Sequence, residues 1–306
     1  MESTAQPDQN STLQEALSLH RSGRFAEAAA LYKKLIRQFP NNPAALKLLG
    51  MLELEQGSLQ ESVRLLQLSL QIDPKQPDAL SSLGAAFQGL NQLDKALASF
   101  DQAIVLNPDN SDAYSNRGLA LQGLNRFDEA LASYDRAIVL NPGNAEAHNN
   151  LGLALESLNR YAEALESFDR AIALNPDIAM IHSNRGYALQ ALKRPFEALA
   201  SFDHAIALQP DFVEAHNDRG FLLYGFNRYD EAMASFDRAI ALNPNYAKAH
   251  ANRAASLVRF NRVSEALASF DRAIELQPEY ASAYLGKSLL KLLMGDFEEG
   301  CPASRR

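Results

Sequence analysis

A stretch of thirty-four residues, Ser111–Asn144 (SDAYSNRGLALQGLNRFDEALASYDRAIVLNPGN), constrains this chain more than any other feature, because copies of it run in register through most of the sequence. From Gln9 to Tyr280 no insertion or deletion breaks the period, and copies begin at Gln9, Pro43, Pro77, Ser111, Ala145, Ala179, Val213 and Ala247. The repeats are therefore 9–42, 43–76, 77–110, 111–144, 145–178, 179–212, 213–246 and 247–280. Residues 281–300 read as an incomplete ninth repeat or capping helix, with 1–8 as a flexible tail and 301–306 as another. Repeats that contact only their neighbours let a 306-residue chain fold without one growing core.

Within each copy the apolar and small residues fall at helical spacing twice over. Tyr114, Arg117, Gly118 and Leu121 mark one face of a first helix; Ala130, Tyr134 and Ala137 mark one face of a second. Gly123-Leu124-Asn125-Arg126 supplies the turn, and Asn141-Pro142 ends the pair, because proline lacks the amide proton that would continue the ladder. Asp109, Asp177, Asp211 and Asn245 follow the closing prolines and are placed to cap the next first helix. Glycine recurs at one phase of the first helix (Gly50, Gly84, Gly118, Gly152, Gly186, Gly220), which predicts close backbone approach. An aromatic four residues after the small alanine (Phe100, Tyr134, Phe168, Phe202, Phe236, Phe270) fills the space between repeats. Helices this short are marginal alone, so stability must come from stacking.

This constellation resembles the tetratricopeptide repeat (TPR), with its 34-residue period, small-residue and aromatic places and closing proline. The resemblance spans nearly the whole chain and implies an all-α fold, a right-handed superhelix of eight helix-turn-helix repeats plus a terminal helix, with first helices lining the concave side. Departures exist: the tryptophan place holds Thr12, Leu46, Leu80, Tyr114, then His148, His182, His216, His250 and Tyr284. Ala16 and Ala254 replace the glycine, and Ser62 and Ser69 replace small alanines.

Composition narrows the function classes. Apolar residues make up 47% and charged ones 22%, a folded and not a disordered balance. The net charge of -8 argues against a nucleic-acid partner, which needs a basic face. No apolar run reaches the roughly 18 residues of a membrane span. MESTAQPDQN has no signal-like pattern, so a cytoplasmic location is expected. A lone Cys301 permits no internal disulfide, and no histidine lies near it to act as a base. Nucleophile-elbow, phosphate-loop and zinc-protease patterns are missing, so no enzyme activity and no cofactor are expected. The four histidines in register cannot share a zinc ion, since stacked helices lie about 8–10 Å apart and ligands need about 2.0–2.1 Å. They are expected to fill the aromatic place between helices.

The sixth place of the repeat carries a polar ladder: Asn116, Asn150, Asn184, Asp218 and Asn252. In helical phase it lies away from the packing residues and shares a stripe with the ninth place, Leu119, Leu153, Tyr187 and Phe221. An asparagine offers both donor and acceptor, so a row of them can bond an extended peptide's backbone while apolar neighbours take its side chains. A protein or peptide partner in the concave groove is the resulting expectation, with a solvated face inherited by duplication as the alternative. The ladder is similar to that of O-linked N-acetylglucosamine transferases, whose repeat region guides protein substrates. That likeness implies a second function, the recognition part of such a glycosyltransferase without its catalytic region, and GDFEEG near the end resembles the lead into one. Exposed repeat ends could also stack on each other in self-association.

Two arginine series complete the inventory. Arg117, Arg185, Arg219 and Arg253 sit beside the packing face, with Asp135, Asp203, Asp237 and Asp271 as candidate partners. Arg24, Arg126, Arg160, Arg194, Arg228 and Arg262 lie in the turns and form a strip along one edge, solvated or open to an acidic partner. A chaperone-tail clamp fails, because Lys47 is followed by Met51 and Ser82 where asparagines are needed.

Overall fold

Positive-φ residues punctuate the chain once per repeat and determine how tightly each helix pair is joined. Asn91, Asn125, Asn159, Lys193, Asn227 and Asn261 adopt φ between 54° and 61°, and Gly23, Gly57 and Gly295 adopt 76° to 81°. Each stops a first helix. At the fourth repeat the Arg126 N–H donates to the Leu121 carbonyl and the Asn125 N–H to the Gln122 carbonyl, both at 2.9 Å. That is the Schellman pattern, which satisfies carbonyls a helix end otherwise leaves open. The second helix begins at the very next residue.

The computed structural model describes residues 9–295, so the expected tails 1–8 and 301–306, Cys301 and the GDFEEG stretch beyond Gly295 lie outside them. The described residues form seventeen α-helices and no strand. First helices are α1 (Gln9–Arg21), α3 (Pro43–Glu55), α5 (Pro77–Gly89), α7 (Ser111–Gly123), α9 (Ala145–Ser157), α11 (Ala179–Ala191), α13 (Val213–Gly225), α15 (Ala247–Arg259) and α17 (Ala281–Leu293). Second helices are α2 (Phe25–Gln38), α4 (Leu59–Ile72), α6 (Leu93–Leu106), α8 (Phe127–Leu140), α10 (Tyr161–Leu174), α12 (Pro195–Leu208), α14 (Tyr229–Leu242) and α16 (Val263–Leu276). The described residues fall into two compact halves, 9–158 and 159–295. In each, a first helix packs on its own second helix, and that second helix packs on the next first helix. Successive first helices also touch, α5 with α7 in the N-terminal half and α13 with α15 in the C-terminal half. The all-α repeat class expected from the sequence is the one found.

Glycine and ring meet as the spacing predicts. A Cβ built on Gly118 would lie 2.5 Å from Cε1 of Tyr134, and the equivalents are 2.6 Å for Gly84 on Phe100, 2.7 Å for Gly186 on Phe202 and 2.6 Å for Gly220 on Phe236. The ring also faces the following repeat: a Cβ on Gly286 would meet Phe270 at 2.5 Å. Phe100, Tyr134, Phe168 and Phe202 are fully buried; each such ring contributes about 1.5–3 kcal/mol on burial. Tyr134 keeps a partner for its hydroxyl, donating to Gln122 Oε1 at 3.0 Å. Burial pushes the Tyr32 phenol, in the same place of the first repeat, up to about 12.

The capping expectation is corrected. The N-cap falls one residue later than Asp109, Asp177, Asp211 and Asn245, because the asparagine–proline turn takes up one more residue. Asn42, Asn110 and Asn144 hold that place and accept from the N–H of Ala45, Ala113 and Ala147 at 3.0 Å. Ile178, Phe212 and Tyr246 hold it later in the chain without a side-chain bond. Asp109 and Asn245 instead turn their own N–H onto the Asn107 and Asn243 side chains, at 3.3 and 3.0 Å. At the far end, α17 leaves Leu285, Leu289 and Leu293 exposed.

Gly118→Ala is expected to lower stability by about 1–3 kcal/mol, since the Tyr134 ring has no room to retreat; a shift of the urea midpoint reads it. Lys193 is the only long side chain at the positive-φ place among the described residues. Lys193→Gly is expected to raise stability by about 1 kcal/mol by removing the left-handed penalty, read in the same titration.

Candidate functional site

Once both helices have spent their small and aromatic faces on packing, the stripe of the first helices carrying the sixth and ninth places is what remains. The structure does not treat the five ladder residues alike. Asn116, Asp218 and Asn252 are half-buried, whereas Asn150 and Asn184 are each only 7% exposed. Asn150 Oδ1 accepts from Asn149 Nδ2 at 3.3 Å, and its own Nδ2 is buried with no hydrogen-bond partner. An unmet buried donor costs about 1–3 kcal/mol, so this amide stands out. Of the apolar stripe, Leu119, Leu153 and Tyr187 are half-buried, and Phe221 is 50% exposed.

In the C-terminal half the ladder is a bonded row. The Tyr187 hydroxyl of α11 donates to Asp218 Oδ2 of α13. Asn217 Nδ2 donates to Asp218 Oδ1, and Asn252 Nδ2 of α15 donates to Asn217 Oδ1, both at 2.9 Å. Three successive first helices are thus tied through side chains of the stripe. Asn217, in the fifth place, escaped the sequence reading. The signal was there in a fifth place that holds serine in three other repeats (Ser81, Ser115, Ser183) and asparagine at Asn149 and Asn217. Tyr187 also lies edge-on to Phe202, ring centroids 5.4 Å apart. Burial pushes the Asp218 carboxyl above its usual range, and the bonds from Tyr187 and Asn217 only partly offset that. The Tyr187 phenol rises as well, chiefly by burial and then by the nearby Asp218 charge.

The arginine pairing is corrected in part: Asp203 and Asp237 do receive arginines of the series, whereas Asp135 and Asp271 do not. Arg117 Nε donates to Asp101 of the preceding second helix at 2.6 Å, and its Nη1 to Ser133 of its own second helix at 2.6 Å. Arg185, Arg219 and Arg253 repeat this with Asp169, Asp203 and Asp237 at 2.6 Å. Asp135 is therefore not the acid facing Arg117, and Asp271 receives Lys287. The offset arises because the seventh place of a first helix faces back across the repeat boundary. Each of these guanidiniums staples two second helices together.

The turn arginines are not a free basic strip. Arg24, Arg126, Arg160, Arg194, Arg228 and Arg262 each fork onto the glutamate three residues on (Glu27, Glu129, Glu163, Glu197, Glu231, Glu265). These bonds hold the glutamates below the usual carboxylate range. Little positive charge is left over for an acidic partner. The histidines have a further role: Nε2 of His182, His216 and His250 bonds the carbonyl of Pro176, Pro210 and Pro244 at 2.8, 3.0 and 3.0 Å. The imidazole thus donates to the end of the preceding helix pair. Burial holds His216 below its ordinary value.

A concavity in the N-terminal half is lined by Pro74, Leu80, Asp101, Gln102, Val105 and Leu106, with a volume of ≈ 300 Å³. It opens because Leu80 and Gln102 stand where the next repeat has Tyr114 and Arg136, whose guanidinium covers that ring 6.0 Å from its centre.

A family model described as tetratricopeptide repeat matches residues 13–77, 116–179 and 252–300, more than half of the chain. Two further repeat models match 89–125 and 213–246. No curated protein matches significantly. Among solved structures, the chain is similar to YrrB, described as a TPR protein with an unusual peptide-binding site, at 28% identity over 60% of this chain and 95% of that one, TM-score 0.51. It is also similar to a tetratricopeptide repeat protein from Parabacteroides merdae at 19% identity, covering 81% of this chain and 98% of that one, TM-score 0.62. PilF of Pseudomonas aeruginosa aligns at 21% identity, covering 68% and 94%, with a TM-score of 0.62. The last two likenesses concern the fold. Among the described residues no helix is long and apolar enough to cross a membrane.

Asp218→Asn is expected to raise the thermal midpoint at neutral pH. The folded carboxyl has a raised pKa, so its ionisation works against folding above that value; the asparagine removes this cost. Below the carboxyl's unfolded value both states hold the proton, so the gain from the substitution should vanish there, and melting curves across the acid range read this directly.

Proposed function

Because the chain belongs to the tetratricopeptide repeat family, we propose that it is a binding scaffold without chemistry of its own, holding an extended segment of a partner protein along the stripe of its first helices. The observation that carries this reading is the bonded row Tyr187–Asp218–Asn217–Asn252 with the half-exposed Phe221 beside it. Side chains already held in place lose little rotamer freedom on binding, so more of each new hydrogen bond remains as affinity. A polar row with an adjacent ring offers backbone bonds and a side-chain contact together. The described peptide-binding site of YrrB, at 28% identity, supports a peptide as occupant.

The alternative, the recognition part of a glycosyltransferase of the O-linked N-acetylglucosamine type, rests on the ladder's residue types. A ladder of asparagines that all face a substrate is not what supports binding here, since Asn150 and Asn184 are buried and only part of the row is open.

Peptides selected from a random display library on the immobilised protein supply the probe. Calorimetry of a selected peptide against Asn252→Ala and Phe221→Ala is expected to show affinity falling by about three- to tenfold for each, the size of one net hydrogen bond or one apolar contact. Affinity equal to that of the unaltered chain in both variants would remove the stripe from consideration.

A further inference from the structure

We propose that the row on α11, α13 and α15 is a site for a basic side chain, a lysine or arginine of the bound segment; this rests on reading the stripe as the binding face. Four of the five ladder residues are asparagines, and at Asp218 a carboxylate of nearly the same shape takes their place. The substitution adds charge and little volume. Both hydrogen-bond donors to that carboxylate, the Tyr187 hydroxyl and Asn217 Nδ2, are neutral. A half-buried anion whose hydrogen-bond donors are all neutral is short of compensating charge, because desolvation of the ion is offset fully only by a close opposite charge. The raised pKa of Asp218 expresses that shortage.

The surroundings fit a cation. Glu214 lies one helical turn before Asp218 on α13, exposed and on the same face. The Tyr246 phenol, at the start of α15, is pushed up by burial and then by the charges of Asp218 and Glu214, with Tyr280 a further neighbour. Phe221, a turn beyond Asp218, is 50% exposed. Carboxylates flanked by aromatic faces attract ammonium and guanidinium groups through both charge and ring quadrupole. The opposing group is Lys248 on α15, whose charge lowers the Asp218 pKa without a hydrogen bond to it and would compete with a guest. Asp78, Asp112 and Glu146 hold the repeat place of Glu214 on α5, α7 and α9, whereas Met180 and Lys248 hold it on α11 and α15, so Glu214 is the one acid in that place among the three helices of the row.

The test uses the full chain and three synthetic extended peptides of matched length: lysine–serine, glutamine–serine and glutamate–serine. The lysine peptide is expected to bind, and the double variant Asp218→Asn, Glu214→Gln to weaken it roughly tenfold, the loss of one charge-assisted contact. A control with the same net charge, Asp128→Asn with Asp230→Asn, at exposed places in the first turns of α8 and α14, is expected to match the unaltered chain. Lys248→Gln is expected to tighten binding. Asp218→Asn restores the residue of four other repeats, and circular dichroism verifies folding. Equal loss in the double variant and in the charge-matched control overturns the proposal, as does tighter binding of the glutamate peptide. If the glutamine peptide binds and loses affinity in Asn252→Ala and Phe221→Ala while the carboxylate variants change nothing, the stripe stands as the binding face and the cation site falls. If the lysine peptide binds with none of these variants altering it, both readings fall.

Discussion

An aromatic ring set with one edge against a glycine backbone is the contact on which the rest of this molecule depends. Tyr134 on Gly118, Phe202 on Gly186 and Phe236 on Gly220 bring two helices closer than any Cβ would allow. The same place then meets the following repeat, as Phe270 does at Gly286. One side chain per repeat therefore sets both the spacing inside a pair and the spacing between pairs. The glycine's helical cost of roughly 0.5–1 kcal/mol is small against the apolar area of a fully buried ring.

Polar groups finish what packing begins, and they do so across repeat boundaries. Arg219 joins Asp203 behind it to Ser235 on its own second helix, and His216 reaches back to the Pro210 carbonyl. The guanidiniums are about a quarter exposed and their acids about half, so each pair contributes modestly on its own. Repetition is what gives them weight. The turn arginines, by contrast, bond within their own helix start and place a carboxylate near its positive end, which favours the turn and leaves no basic edge.

On the proposed reading, function falls to the face that packing leaves over. Identical repeats would make that face uniform, but a few departures break it: aspartate for asparagine at Asp218, aromatics at Tyr187 and Phe221, an asparagine bridge at Asn217. The departures leave the glycine–ring pairs themselves in place, although Tyr187 packs edge-on against the Phe202 ring and the Asp218 carboxyl works against folding when ionised. A scaffold of this kind can therefore vary its binding chemistry without altering its architecture.

The sequence by itself determined the helix pairs, their period, the ring and glycine at their crossing and the proline at their close, because each is written in local spacing that needs no partner to be read. It also placed the ladder on one stripe. Which ladder residues stay open was decided only by tertiary structure, since Asn150 and Asn184 share their repeat place with Asn116 and Asn252 yet are buried. The same holds for the ion pairs. Asp101 and Asp135 are the same residue in the same place one period apart, so residue type could not tell which one Arg117 meets. Repetition makes every candidate contact available twice in the sequence, and only the direction in which one repeat leans on the next selects between them.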